Sequence, residues 1–137
     1  MEPHRLTGLA IVLRGSLIML NPQKYTMPTC WQGKTYEVPF YFRDNFKQEI
    51  NLAGYTARMQ VRPSVESDIV TIELTTSNGR ISIDEPNGIV VLFISDADTA
   101  ALDPGSYKYD LELISGSGRV YCPVQGSFKV KAEVTRA

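Results

Sequence analysis

The chain has 137 residues, of which 43% are hydrophobic, and a domain of this size buries about two-thirds of its unfolded surface. Its 14 basic and 15 acidic residues are spread along the sequence and give a net charge of -1. These totals exclude a second domain, and the absence of clustered Lys and Arg argues against nucleic acid as a partner.

The N-terminal segment contains an apolar run over residues 6–13 that ends at Arg14. A run of about eight residues is too short to span a bilayer, and no signal-peptide cleavage site follows it. Residues 14–16 can be encoded by a purine-rich, ribosome-binding-like sequence just ahead of Met19. The sequence therefore leaves three candidate translation starts: Met1, Met19 and Met27. A later start would remove the preceding residues from the mature protein. An intact mass that matches Met1 would end the later-start hypothesis.

Two segments alternate between apolar and polar residues, as half-buried strands do. In the first, the apolar face is formed by Tyr36, Val38, Phe40 and Phe42. Pro39 lies within this strand and predicts an edge position or a bulge, because proline cannot donate a ladder hydrogen bond. In the second, Ala57, Met59 and Val61 point inward, and Arg58, Gln60 and Arg62 form a polar outward row.

The middle of the chain predicts a third strand, a hairpin and a covered strand. The third strand is marked by Val70, Ile72 and Leu74, and Asn78-Gly79 predicts a two-residue type I′ turn into a return strand with Ile81 and Ile83. The unbroken apolar run of residues 89–94 predicts strand E, covered on both sides.

The spacing of Asp103, Gly105 and Tyr107 is similar to the tyrosine corner of immunoglobulin-like (Ig-like) sandwiches, where a Tyr at the start of strand F bonds to backbone. Ser95 and Asp98 resemble an N-cap, which predicts a short helix in the E–F crossover. The last strand runs through Val120 and Val130 with a kink at Gly126. We predict an all-β chain: one Ig-like Greek-key β-sandwich of about seven or eight antiparallel strands over residues 33–137, preceded by an N-terminal arm over residues 1–32.

The two cysteines, Cys30 and Cys122, lie far apart and outside any CxxC spacing. They are either two free thiols or one disulfide that ties the arm to a late strand. The position of the antibody disulfide Cys, two residues after the corner Tyr, holds Tyr109. A sandwich without that bridge suits folding in a reducing cytoplasm.

Catalytic signatures are missing from the sequence. The one histidine, His4, lies in the N-terminal segment, and no phosphate-binding glycine loop or nucleophile elbow occurs. The acidic clusters, including Asp96 to Asp103, lie beside turns and caps, where Asp is favoured for local backbone bonds. Calcium at that corner is the alternative. We expect no enzyme activity, no cofactor and no metal.

Most aromatic residues fall on the predicted inward faces, and Phe93 is among them. Trp31 precedes the first strand. Together with Tyr25 and Tyr41, it either packs the arm onto the sandwich, contacts another protein or provides a stacking surface for carbohydrate. The row Arg58, Gln60 and Arg62 is either a solvated face or a docking surface.

Five segments resemble small proteins of tailed bacteriophages, and are similar to the Ig-like N-terminal domain of phage baseplate upper proteins: Leu52–Pro63, Asn87–Ile89, Ala97–Leu102, Gly105–Leu113 and Gly126–Val130. The likeness covers about residues 33–136 and consists mostly of fold determinants, so it assigns no functional residue. It implies a virion protein, made in the host cytoplasm and present in several copies, that docks other tail, baseplate or head–tail proteins. Edge strands and the arm are expected to make those contacts. A small carbohydrate-binding module that aids adsorption is the alternative.

Overall fold

The computed structural model describes residues 9–12, 22–44 and 46–135, with residues 9–12 described as backbone only. It contains ten strands and one short helix: β1 Leu9–Val12, β2 Gln23–Lys24, β3 Cys30–Trp31, β4 Tyr36–Arg43, β5 Thr56–Arg62, β6 Ile72–Thr75, β7 Ile81–Asp84, β8 Ile89–Ile94, α1 Asp96–Ala100, β9 Gly105–Ile114 and β10 Val120–Lys131. No helix within these ranges is long and apolar enough to cross a membrane.

The strands form two sheets that pack as an Ig-like sandwich. One sheet has the order β1-β4-β8-β7, and the other has the order β2-β10-β9-β5-β6, with β3 also paired to β10. Strands β4 to β10 pair antiparallel, whereas β1, β2 and β3 each pair parallel to a neighbour. The predicted sandwich is confirmed, and the parallel pairs add the N-terminal strands β1, β2 and β3 to its two sheets.

The core lies between the sheets and follows the predicted alternation. All four inward residues of β4 are buried, and so are Ala57, Met59 and Val61 of β5. From the second sheet, Leu111, Leu113 and Phe128 complete the same cluster. Because both sheets contribute every second residue, each outer face is formed by the alternate positions.

The crossover between β8 and β9 is confirmed in detail. The hydroxyl of Ser95 accepts the N–H of Asp98 at the start of α1. The hydroxyl of Tyr107 donates to the carbonyl of Asp103 at 2.5 Å, which is the bond of a tyrosine corner. Strand β9 is thereby oriented as strand F.

The segment that carries β2 and β3 is bonded to the core of the sandwich. Tyr109 of β9 donates its hydroxyl to the carbonyl of Tyr25 at 2.7 Å, and Tyr36 of β4 donates to the carbonyl of Pro28 at 2.8 Å. Met27 is itself buried. Each sheet thus supplies one buried hydroxyl to the same segment, which pairs with β10 as part of the second sheet.

For Pro39, the predicted bulge is wrong, because the register of β4 with β8 runs through this residue without a shift. Strand β4 lies between β1 and β8, but its described pairing with β1 covers only Phe40 to Arg43. Phe42 donates its N–H to Gly88 at 2.8 Å, so alternate residues bond to β8 and Pro39 faces the other side. On that side, the described pairing with β1 begins at Phe40. The missing N–H therefore costs no ladder bond to β8.

The hairpin predicted at Asn78-Gly79 is also wrong. Strand β6 pairs with β5, whereas β7 pairs with β8 in the other sheet, so residues 76–80 cross between the sheets. Asn78 accepts the N–H of Thr75 and donates to the carbonyl of Glu73, to which Arg80 also donates. Gly79 has the positive φ (83°) that the sequence indicated, but it serves a crossover.

Three further expectations are corrected. Val70 lies before β6 and is partly exposed, so the third strand begins at Ile72. Phe93 is 40% exposed and points outward, and the other outward residues of β8, Ile89 and Val91, are partly exposed. The irregularity in β10 lies between Tyr121 and Val124, whereas Gly126 stays in register with Tyr109.

Both cysteines are free thiols. Cys30 pairs with Val130, and Cys122 lies eight residues earlier on β10, which corresponds to about 26 Å of strand. A disulfide requires Cα atoms within about 7 Å, so the disulfide alternative is wrong for this fold.

We expect alkylation of the denatured, unreduced protein to add two adducts, as counted by intact mass. In the native protein at about pH 8 the same reaction should be slow, because the thiolate is the reactive form and burial raises the pKa of both thiols to about 11. Cys30 should react last, since it is fully buried. Recovery of unmodified protein after denaturation would contradict the free thiols.

Candidate interaction surface

The predicted polar row lies on the outer face of the second sheet. Arg58, Gln60 and Arg62 alternate along β5 with the buried Ala57, Met59 and Val61, so their side chains point away from the core. Arg58 forms an ion pair with Glu112 of β9 at 2.6 Å. Gln60 donates to Glu73 of β6 at 2.9 Å. These contacts link β5 to both neighbouring strands.

Arg62 is bonded differently from Arg58, because it forms no ion pair with any carboxylate among the described residues. Its guanidinium donates to the side chain of Gln60 at 2.6 Å and to the carbonyl of Ser67 at 2.5 Å. In the register of the sheet, Arg62 stands directly opposite Lys108 of β9. Like charges in that position destabilise a sheet. The chain keeps this unfavourable pair on an exposed face.

Lys108 continues a line of cations across β10. Its ammonium donates to the hydroxyl of Ser127 at 3.0 Å. Within the described residues, none of the cations along this line forms an ion pair. We call this line the cationic strip: Arg62, Lys108, Lys129 and Lys131.

Trp31 lies at the β10 edge of the face. It pairs with Lys131 across β3 and β10, and the Lys131 ammonium lies 5.7 Å from the centre of the indole ring. The side chain is 47% exposed. A large aromatic ring next to unpaired cations is thus presented on the same outer face as the cationic strip.

A shallow groove of about 500 Å³ runs along this face beside Asp110. Partial burial raises the pKa of Asp110, and the neighbouring Glu112 raises it further, while Arg62 and Arg58 act in the opposite direction. In the register of the sheet, Glu112 stands opposite Arg58 and Asp110 stands opposite Gln60. The carboxylates therefore lie towards the Arg58 end of the face, and the opposite end, with Lys129 and Lys131, is positive.

The six predicted interaction residues do not form one site. Trp31, Arg58, Gln60 and Arg62 share the outer face of the second sheet. Tyr25 is half-buried and packs its ring edge-to-face on Phe40, with centroids 5.9 Å apart. Tyr41 lies on the outer face of the other sheet, beneath the guanidinium of Arg43.

Sequence reasoning did not single out Lys108, Lys129 or Lys131. Their signal was the alternation of β9 and β10, which marks them as outward. That they meet Arg62 and Trp31 follows from strand order and register, which a local pattern does not contain.

The acidic corner considered for calcium is engaged in structural contacts. Asp98 pairs with Arg80 at 2.8 Å, and this hydrogen bond lowers the pKa of the carboxyl. Within the described ranges, no three His, Cys, Asp or Glu side chains converge as metal ligands.

Comparisons with known proteins add little to this description. No family model matches the chain, and no curated protein does either. Among solved structures, the chain is similar to CopC from Methylosinus trichosporium OB3b, with 14% identity and a TM-score of 0.39 over 85% of this chain and 89% of that one. A likeness at this level says nothing about the ligands or partners of this chain.

Proposed function

We propose that this chain is a non-enzymatic structural subunit of a bacteriophage particle, which docks another virion protein through the outer face of its second sheet. The resemblance of residues 33–136 to phage Ig-like proteins supports the assignment to a bacteriophage particle. The observation that carries the docking face is the directly opposed pair Arg62 and Lys108, neither of which forms an ion pair with a carboxylate in the described part of the chain. An acidic surface on the partner would relieve this repulsion.

Trp31 is the proposed anchor of the contact. Trp and Arg are enriched among the residues that dominate binding energy, because a large ring fills a pocket at little entropic cost. Lys131, over the ring, is placed to pair with an anion at the rim of that pocket. The predicted partner surface is therefore acidic, with an apolar recess.

Catalysis is not part of the proposal. The thiols are poor nucleophiles at neutral pH because burial raises the pKa of each to about 11. His4 lies outside the described residues. The face itself offers charge and an aromatic ring, which suit recognition.

The test uses phage particles purified from host cells. Mass spectrometry should detect the chain in them, and variants Trp31→Ala and Lys108→Glu, introduced into the phage genome, should lower its amount per particle by about tenfold or more. Arg119→Glu is the matched control, since Arg119 is exposed on the turn between β9 and β10. Absence of the chain from particles, or equal incorporation of all three variants, would contradict the proposal.

A carbohydrate-binding module is the second candidate, favoured by the exposure of Trp31. Sugars stack on aromatic faces, but here Lys131 lies over the ring and competes for that position. Specific binding on a glycan array that is lost in Trp31→Ala would support the module and overturn the purely structural function.

A further inference from the structure

The outer face of the first sheet is apolar at its centre. In β8, Val90, Leu92 and Ile94 are buried, so Ile89, Val91 and Phe93 point away from the core. The outward residues of β4 lie directly beside them: Pro39 pairs with Val91, and Tyr41 pairs with Ile89. We call the aliphatic and phenyl residues of this set the outer apolar face: Pro39, Ile89, Val91 and Phe93.

This face differs from that of the second sheet. An antiparallel sheet with one solvated side normally alternates apolar and polar residues, as β5 does with Arg58, Gln60 and Arg62. Strand β8 is apolar at every position. Phe93 is 40% exposed, and Pro39, Ile89 and Val91 are partly exposed. Contiguous apolar surface of this kind marks an interaction site.

Charges at the two ends of β4 indicate what covers this face. Glu37, at the first end, lies beside Phe93, and Arg43 lies at the other end, over Tyr41 at 5.5 Å. Neither forms an ion pair with a described residue. They are separated by six residues, or about 20 Å of strand. Phe40 lies midway between them.

A second copy of the chain supplies both an apolar surface to cover this face and charges opposite to Glu37 and Arg43. A twofold axis that lies between the two copies, perpendicular to β4 and level with Phe40, reverses the strand direction of the second copy. Glu37 of each copy then faces Arg43 of the other. Between these charges, Val91 of each copy meets Ile89 of the other, and Phe93, beside Glu37, lies at the end of the contact. Twofold symmetry generates both ion pairs from one arrangement, and stacked sheets pack at about 10 Å in this way.

We propose that two copies of this chain associate face to face through the outer apolar face, with Glu37 and Arg43 as reciprocal ion pairs. The inference goes beyond the proposed function, because it uses the opposite sheet and requires no virion partner. Both cationic strips remain exposed in such a dimer.

Sedimentation equilibrium of the purified chain tests the proposal. We expect a dimer at micromolar concentration, and Phe93→Lys should raise its dissociation constant by about tenfold or more. Phe46→Lys is the matched control, because Phe46 is 81% exposed in a loop outside the face. A wild-type chain that stays monomeric at these concentrations would overturn the proposal, as would equal dissociation constants for the two variants.

Charge exchange provides a second measurement on exposed positions. Glu37→Lys should weaken the dimer, and the double variant Glu37→Lys/Arg43→Glu should restore it, because the reciprocal pairs re-form with exchanged signs. If the double variant is as weak as the sum of its single variants, the antiparallel arrangement is wrong. These outcomes are independent of particle incorporation, which tests the cationic strip and Trp31 on the opposite sheet.

Discussion

Replacing Phe40 by alanine is expected to lower the free energy of unfolding by about 3–5 kcal/mol. Phe40 is fully buried in β4 and packs edge-to-face on Tyr25. The substitution removes a ring from the centre of the core and leaves a cavity that the surrounding strands fill only in part. It also removes the surface on which the segment after β2 packs. Urea denaturation followed by circular dichroism measures the loss.

Phe46→Ala is the control for this prediction. Its side chain is 81% exposed, so truncation should change the stability by less than about 0.5 kcal/mol. Comparable losses in the two variants would mean that Phe40 does not lie in the core. Since domains of this kind are stable by only about 5–15 kcal/mol, the Phe40 variant should also unfold at a clearly lower urea concentration.

Gly126→Ala is expected to destabilise the fold by about 1–3 kcal/mol. A Cβ atom at position 126 would overlap the carbonyl group of Tyr25. That backbone has little freedom to move away, because the N–H of Tyr25 donates to Gln125 at 2.9 Å and its carbonyl accepts from Tyr109 at 2.7 Å. The alanine must therefore displace the segment from β10. Hydrogen exchange at the amides of residues 23–27 should accelerate along with the loss of stability.

Gly116→Ala is the matched substitution. A Cβ atom there would lie 3.5 Å from the carbonyl oxygen of Gly54, which is an ordinary contact. Its stability should stay within about 0.5 kcal/mol of the wild type. Unchanged exchange at residues 23–27 in Gly126→Ala would show that β2 does not pack against β10 as described.

The sequence predicts the faces of the strands better than their partners. The alternation in β4 and β5 identifies the buried residues because side-chain direction along a strand has a local period of two. The uniformly apolar β8 contains no such signal, and this is why Phe93 was placed inward. Its outward direction follows from the packing of Val90, Leu92 and Ile94 against the other sheet.

Turn signals have the same limit. Asn78-Gly79 predicts a backbone that turns with a positive φ, and Gly79 has one. Whether the chain then pairs with the strand it has left or crosses to the other sheet depends on contacts made elsewhere. Ser95 and Tyr107 were placed correctly because their bonds, to Asp98 and Asp103, lie within four residues.

The candidate surface depends most on distant pairing. Arg62 and Lys108 are 46 positions apart in the numbering, and only the register of β5 with β9 makes them direct neighbours. The arm residue Tyr25 became part of the packed sandwich for the same reason, since its partners Phe40 and Tyr109 belong to different sheets. A chain that started at Met27 would lack these contacts, whereas one that started at Met19 would retain them.

The crossover after β6 affects how neighbouring copies of the chain can associate. On the outer side of β6, the carbonyl of Glu73 and the N–H of Thr75 are two of the groups that an incoming strand would use, and Asn78 and Arg80 already occupy them. Exposed strand edges of sandwich proteins are templates for aggregation, and a covered edge removes that template. Two of the backbone groups on this edge are thereby unavailable to a strand of a neighbouring copy. At the high local concentration of an ordered assembly, strand addition at β6 would first have to displace Asn78 and Arg80 from these groups.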